Sequence, residues 1–404
     1  MARQNTFLKS RKCHNLLGLY VVLALIAGTF TGCSSDWKLS VKGADAKTES
    51  NPFSLKVYIE NSGSMNGYLC NGAEFKDAIY SYLTALNGYA QSIDLNYINA
   101  QTVPMEATLS ELIPNLTPEV FGSVAGNHAN TDFKQILSEV INSAKEDTVV
   151  IFTSDCIMDM PQGSASGFLN ITRTDINNIV NQKLKNLPTL SFCIYQLDSK
   201  YQGTYYYPKG GKIDYEGVRP VYLWVIGTQE NLAFINRNIP NTKIQHGFKN
   251  YCSFSPSTVF PATLYVQGKD KQEMILKTKG KNGLYTCKLM MDLSPSLLLE
   301  EDLQYLDNYY MSRGSVKITG VTPLPNTSKY THSFSLEVPD QSFSDLLNVK
   351  KMELPSWVEG LNGTRDDSLE VDKTFSIKYI IGGVADAYEK HKEAGKVTLT
   401  NNKN

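Results

Sequence analysis

Three short segments gather the hydroxyl, carboxylate and imidazole groups that could do chemistry. They are Glu60-Asn61-Ser62-Gly63-Ser64-Met65, Asn127-His128-Ala129-Asn130-Thr131-Asp132 and Thr153-Ser154-Asp155. A serine hydrolase would draw its nucleophile from Ser62 or Ser64, its base from His128 and its orienting carboxylate from Asp155. Such a triad is recognised by geometry, and nothing in this spacing fixes one. The sequence contains no Gly-x-Ser-x-Gly elbow and no Gly-x-x-x-x-Gly-Lys phosphate loop. A lone loop histidine is more often solvated than functional. In the plainest reading, Ser62-Gly63-Ser64 is a tight turn and Asp155 caps neighbouring backbone N–H groups.

The elements around these segments alternate. Residues 54–60, 95–98, 149–152, 190–197 and 220–227 are apolar, strand-like runs. Between them, Phe75, Ala78, Ile79, Tyr82, Leu83 and Leu86 repeat at helical spacing and stop at Gly88. Phe133, Ile136, Leu137, Val140, Ile141 and Ala144 repeat likewise, with Thr131 or Asn130 placed to cap and Asp132 in the first turn. Ile176, Ile179, Val180 and Leu184 mark a third helix starting at Thr174 or Asp175. Continuous apolar strands alternating with helices predict an α/β fold, a doubly wound, mostly parallel, Rossmann-like sheet. Ligands in such sheets sit beyond the carboxyl ends of the strands, where the three segments fall.

With that order of elements, residues 53–238 resemble the von Willebrand factor A domain. That family carries an Asp-x-Ser-x-Ser loop after its first strand, a threonine before a later helix and an aspartate ending a central strand. Glu60 stands here where the family has its leading Asp, which keeps the charge but moves it outward by one methylene. The resemblance implies a metal-ion-dependent adhesion site: hydroxyls from Ser62, Ser64 and Thr131, and carboxylates from Asp155 and Glu60, directly or through water. Oxygen ligands and retained waters suit Mg²⁺, with Mn²⁺ or Ca²⁺ as alternatives. It also implies a protein partner that completes the metal shell with its own carboxylate, a binding function without turnover. A metal-free scaffold with a degenerate domain is the second reading, and the serine-type hydrolase the third.

The first 32 residues read as an address. Arg3, Lys9, Arg11 and Lys12 precede an apolar run over residues 16–30. As a helix that run rises only about 22 Å, short of a roughly 30 Å hydrocarbon core. A basic flank, a short apolar stretch and small residues describe a secretory signal. Thr31-Gly32-Cys33-Ser34 resembles a bacterial lipobox, so Cys33 is expected to carry acyl chains such as palmitate. Ser34, in place of Asp, points to the outer membrane of a bacterial cell envelope. Residues 33–52 read as a polar, flexible, lipidated tether.

The chain has 404 residues, with 39 bases and 40 acids. Removing residues 1–32 leaves 35 bases against 40 acids, which strengthens the case against a nucleic-acid footprint. Cys70, Cys156, Cys193, Cys252 and Cys287 remain after the signal and Cys33 are set aside, an odd number that gives no disulfide framework. Whether Cys70 and Cys156 pair is left open, because that depends on Cα separation.

Residues 239–404 change in pattern. Strand-like runs at 263–267, 273–277, 284–291, 315–322, 331–338 and 374–380 suggest a β-rich, sandwich-like domain, with one helix over residues 384–392 behind Gly382-Gly383. The tyrosines at 205–207 and Tyr309-Tyr310 could stack on glycans, although strand aromatics usually pack.

Overall fold

The computed structural model describes residues 36–46, 52–128, 132–158, 165–206, 211–239, 241–244, 246–363 and 370–404. Thr131 and Cys33 lie outside them, as do Tyr207 and the expected signal segment.

Seven strands form the central sheet, in the order Thr102–Pro104, Ile93–Ile98, Ser54–Glu60, Thr148–Ser154, Lys212–Thr228, Leu190–Tyr206, Phe248–Phe254. Ser54–Glu60 pairs in parallel with Ile93–Ile98 and with Thr148–Ser154. Every other pairing in the sheet is antiparallel. The expected doubly wound, mostly parallel von Willebrand-like sheet is therefore corrected to a mixed sheet with one parallel trio. The physical reason lies in the connections. A parallel pair needs a crossover of a dozen or more residues, whereas an antiparallel pair needs only a turn. Helices Glu74–Asn87 and Phe133–Ser143 supply crossovers around the trio. Only five residues separate Leu190–Tyr206 from Lys212–Thr228, and their register runs unbroken from Leu190↔Thr228 to Tyr206↔Lys212. Continuous apolar runs show that strands are buried on both faces and say nothing about direction.

Burial on both faces is visible residue by residue. Leu55, Val57 and Ile59 join one core with Val149, Ile151, Leu223 and Val225, under helices Glu74–Asn87 and Gln229–Asn238. Tyr58, Val150, Phe152, Tyr222 and Trp224 join the other, under Phe133–Ser143, Ala165–Asn186 and Ile377–Ala387.

That last helix corrects two expectations. Residues 374–380 are a two-residue strand, Thr374–Phe375, followed by the helix, and Gly382-Gly383 lie inside the helix instead of ahead of it. Ile377, Ile380, Ile381 and Val384 are all buried at helical spacing, a period that their strand-like side chains obscured. A Cβ on Gly383 would stand 2.6 Å from the Arg173 carbonyl oxygen, so the glycine permits close contact with helix Ala165–Asn186. That partner helix also begins nine residues before Thr174.

Two further sheets enclose a third core that includes Leu39, Leu264, Leu289, Phe334, Leu347 and Leu399. One has the order Glu273–Leu276, Trp37–Lys42, Glu393–Lys403, Phe343–Lys350, Tyr309–Met311. The other has the order Lys269–Lys271, Ala262–Val266, Tyr285–Met291, His332–Val338, Lys317–Pro323. Trp37–Lys42 was expected to belong to a tether. It is instead a strand held on both sides, because Leu39 and Val41 alternate into the core. The β-rich region therefore begins before the central sheet in sequence, while helix Ile377–Ala387 returns from it to the central sheet.

Candidate functional site

Strand Ser54–Glu60 delivers Glu60 to its carboxyl end, and the chain turns through Asn61, Ser62 and Gly63 into the 3₁₀ turn Ser64–Leu69. The loop is held from outside. Asn61 accepts from the Asn99 amide at 3.2 Å and donates to the Phe121 carbonyl at 3.2 Å. Tyr68 donates to the Pro220 carbonyl at 2.7 Å. Gly67 lies so close to the Tyr201 ring that a Cβ would come within 2.3 Å of it, which fixes the turn on the long hairpin.

Within this frame Ser62, Ser64, Glu60 and Asp155 are all buried. The Ser62 and Ser64 hydroxyl oxygens are 3.1 Å apart. Asp155 follows strand Thr148–Ser154, and its Oδ1 accepts the Ile157 N–H at 3.2 Å. Its Oδ2 is buried without a hydrogen-bond partner. Burial raises the Asp155 pKa above the ordinary carboxylate range, opposed by the Arg219 guanidinium and by the nearby Ser64 hydroxyl. The structure thus brings Ser62 and Ser64 together with Asp155, at the carboxyl ends of two adjacent parallel strands.

Arg219 is the residue that sequence reasoning missed. It is fully buried on strand Lys212–Thr228, donates to the Val371 carbonyl and lies 4.2 Å from the Tyr205 ring centroid. Tyr201 is within 5.3 Å of the same guanidinium. A charge at the head of an apolar run, in Arg219-Pro220-Val221-Tyr222, was the available signal. The C-terminal region also closes the site, with Thr374 donating to the Asp155 carbonyl at 3.5 Å and accepting from Tyr222 at 3.1 Å.

His128 is fastened elsewhere. Its Nδ1 is 2.9 Å from the Asn61 carbonyl and its Nε2 2.8 Å from the Val124 carbonyl, so neither nitrogen addresses a site serine. Asp132, not Thr131 or Asn130, is the cap of helix Phe133–Ser143, accepting from Lys134 at 3.0 Å and Gln135 at 3.3 Å. Cys70 and Cys156 are both free thiols. Burial pushes the Cys156 thiol well up, with Glu60 and Asp155 adding to the shift. Tyr205 is buried and Tyr309 packs edge-on against Phe334 at 4.9 Å, whereas their neighbours Tyr206 and Tyr310 are exposed.

The donor set fits a small hard cation. Ligand oxygens in adjacent positions around octahedral Mg²⁺ are about 2.9 Å apart, from Mg–O distances of roughly 2.05 Å. The two serine oxygens, hydrogen-bonded to each other at 3.1 Å, are close to that edge, and Asp155 Oδ2 is a buried acceptor without a hydrogen-bond partner. Among the described residues, no group of three or more His, Cys, Asp or Glu side chains is placed to hold a metal. With both carboxylates ionised and Arg219 charged, one negative charge is in excess, which would leave a bound dication electrophilic.

No family model, no curated protein and no solved structure matches the chain.

Proposed function

We propose that this chain is a lipoprotein of the bacterial cell envelope, anchored through Cys33, that binds a protein partner and performs no turnover. The observation that carries the reading is the pair of serine oxygens 3.1 Å apart beside a buried aspartate oxygen without a partner. Ser62, Ser64 and Asp155 would hold Mg²⁺, with Glu60 orienting a coordinated water and Thr131 a further candidate hydroxyl. When bound, the ion supplies an electrophilic centre for a carboxylate of the partner. The protein's own contribution is a buried, pre-set oxygen frame, in which Tyr68 and Asn61 fix the turn and Arg219 limits the negative charge.

A second reading is favoured by Arg219 itself. A buried guanidinium already acts on Asp155, so the cluster would be a metal-free structural centre in a scaffold lipoprotein. The two readings separate on partner recovery from envelope extracts with and without EDTA. Recovery lost with EDTA and restored by Mg²⁺ supports the metal reading, and recovery indifferent to EDTA supports the scaffold.

A further inference from the structure

The place where the chain enters the fold is unusually basic. Between Tyr265 and Lys288 there are six lysines and two acids, in a chain whose formal net charge is −1. Strand Trp37–Lys42 pairs with Glu273–Leu276 so that Trp37 lies opposite Leu276, which sets Asp36 beside Lys277. A groove of about 780 Å³ opens here, lined by Lys38, Lys271, Lys277, Lys279, Tyr265 and Asn404 among others. Glu273 pairs with Lys38 at 2.7 Å and Asp340 with Lys279, leaving Lys271 and Lys277 exposed. Tyr265 is 42% exposed, an aromatic suited to the polar–apolar boundary of a bilayer.

Cys33 is only four residues from Trp37, and four extended residues span at most about 14 Å. We propose that this lysine-lined groove is the membrane-facing surface of the protein, and that its occupant is the anionic phospholipid headgroup layer of the bilayer holding the Cys33 acyl chains. The inference rests on the reading of Cys33 as the anchor, and deepens it from an attachment point to an orientation. Lysines on edge strands also discourage sheet-to-sheet pairing. That role does not require them to gather where the chain emerges beside an exposed tyrosine. With this face on the bilayer, the short reach from Cys33 holds the β-rich sheets at the surface.

The test is sedimentation of residues 33–404, which contain every described element, with vesicles of phosphatidylglycerol and phosphatidylcholine or of phosphatidylcholine alone. The unacylated chain is expected to bind only the anionic vesicles and to be released by salt. Each lysine at an anionic surface is worth about fivefold in partitioning, so Lys271→Gln/Lys277→Gln/Lys279→Gln should weaken binding on the order of 100-fold. The matching triple Lys→Arg variant should keep it. Equal binding to both vesicle types, no binding to either, or an unchanged triple Gln variant would overturn the proposal. Cell fractionation of full-length Cys33→Ala reports separately on the anchor, so the two failures are distinguishable.

Discussion

Arg173 grips Asp386 through two hydrogen bonds of 2.7 Å across 213 residues of sequence, joining helix Ala165–Asn186 to helix Ile377–Ala387. Both side chains are about one-third exposed. Asp386→Ala should therefore cost only about 1 kcal/mol, because solvent screens such a pair. Gly383→Ala is the sharper probe of the same contact. Helix propensity alone predicts a gain of about 1 kcal/mol. The close approach to the Arg173 carbonyl instead predicts a loss of roughly 1–3 kcal/mol from overpacking. Urea denaturation gives the sign, and a gain would contradict the packing described.

His332 should make stability depend on acid. It is wholly buried, and burial lowers its pKa from 6.5 to about 4. Glu300, 3.5 Å from Nε2, lies largely in solvent and does not offset that burial. The unfolded chain therefore binds the proton more readily than the folded one. The stabilising contribution is complete above pH 6.5 and is lost as the pH falls towards 4. At most it amounts to about 3 kcal/mol. Denaturation midpoints at several pH values should fall across this window in the wild type and fall less in His332→Gln. Parallel curves for the two proteins would assign the acid sensitivity to another group.

Asp155 and Arg219 should prove coupled. Arg219 acts on Asp155 through its charge, without an ion-pair contact between them, so removing it should cost on the order of 1–3 kcal/mol by leaving a buried carboxylate less compensated. Arg219→Met should therefore destabilise the protein, and adding Asp155→Asn to it should recover part of the loss. A double-mutant cycle in urea measures this, and strictly additive losses would mean that the two groups do not interact.

Anchoring has its own readout. Full-length chain expressed in a bacterial host with labelled palmitate should incorporate label and fractionate with membranes. Cys33→Ala should do neither. Label retained in that variant would move the acylation site elsewhere.

Much of the framework was legible from residue spacing, and the failures share a cause. Strand positions such as 54–60 and 149–152 and the helix from Phe75 to Leu86 could be read because burial imposes a period. Strand direction could not, since Phe192 and Trp224 are buried whichever way their strands run. The missing helix between residues 197 and 220 was the signal that an antiparallel hairpin had replaced a crossover. Trp37–Lys42 escaped because six residues with only Leu39 and Val41 inward look polar until their partner at the far end of the chain, Glu393–Lys403, is known. At the site, Ser62, Ser64 and Asp155 declared themselves as loop residues at strand ends. Arg219 and Thr374 reach the cluster only through tertiary packing. Local sequence holds no record of that approach.

Calorimetric titration of residues 33–404 with Mg²⁺ and Mn²⁺ tests the central claim most directly. The wild type is expected to bind one ion, and Ser62→Ala/Ser64→Ala to lose at least tenfold in affinity, about 1.4 kcal/mol. Equal binding by both proteins, or no heat from the wild type, would contradict the assignment of these oxygens to a metal.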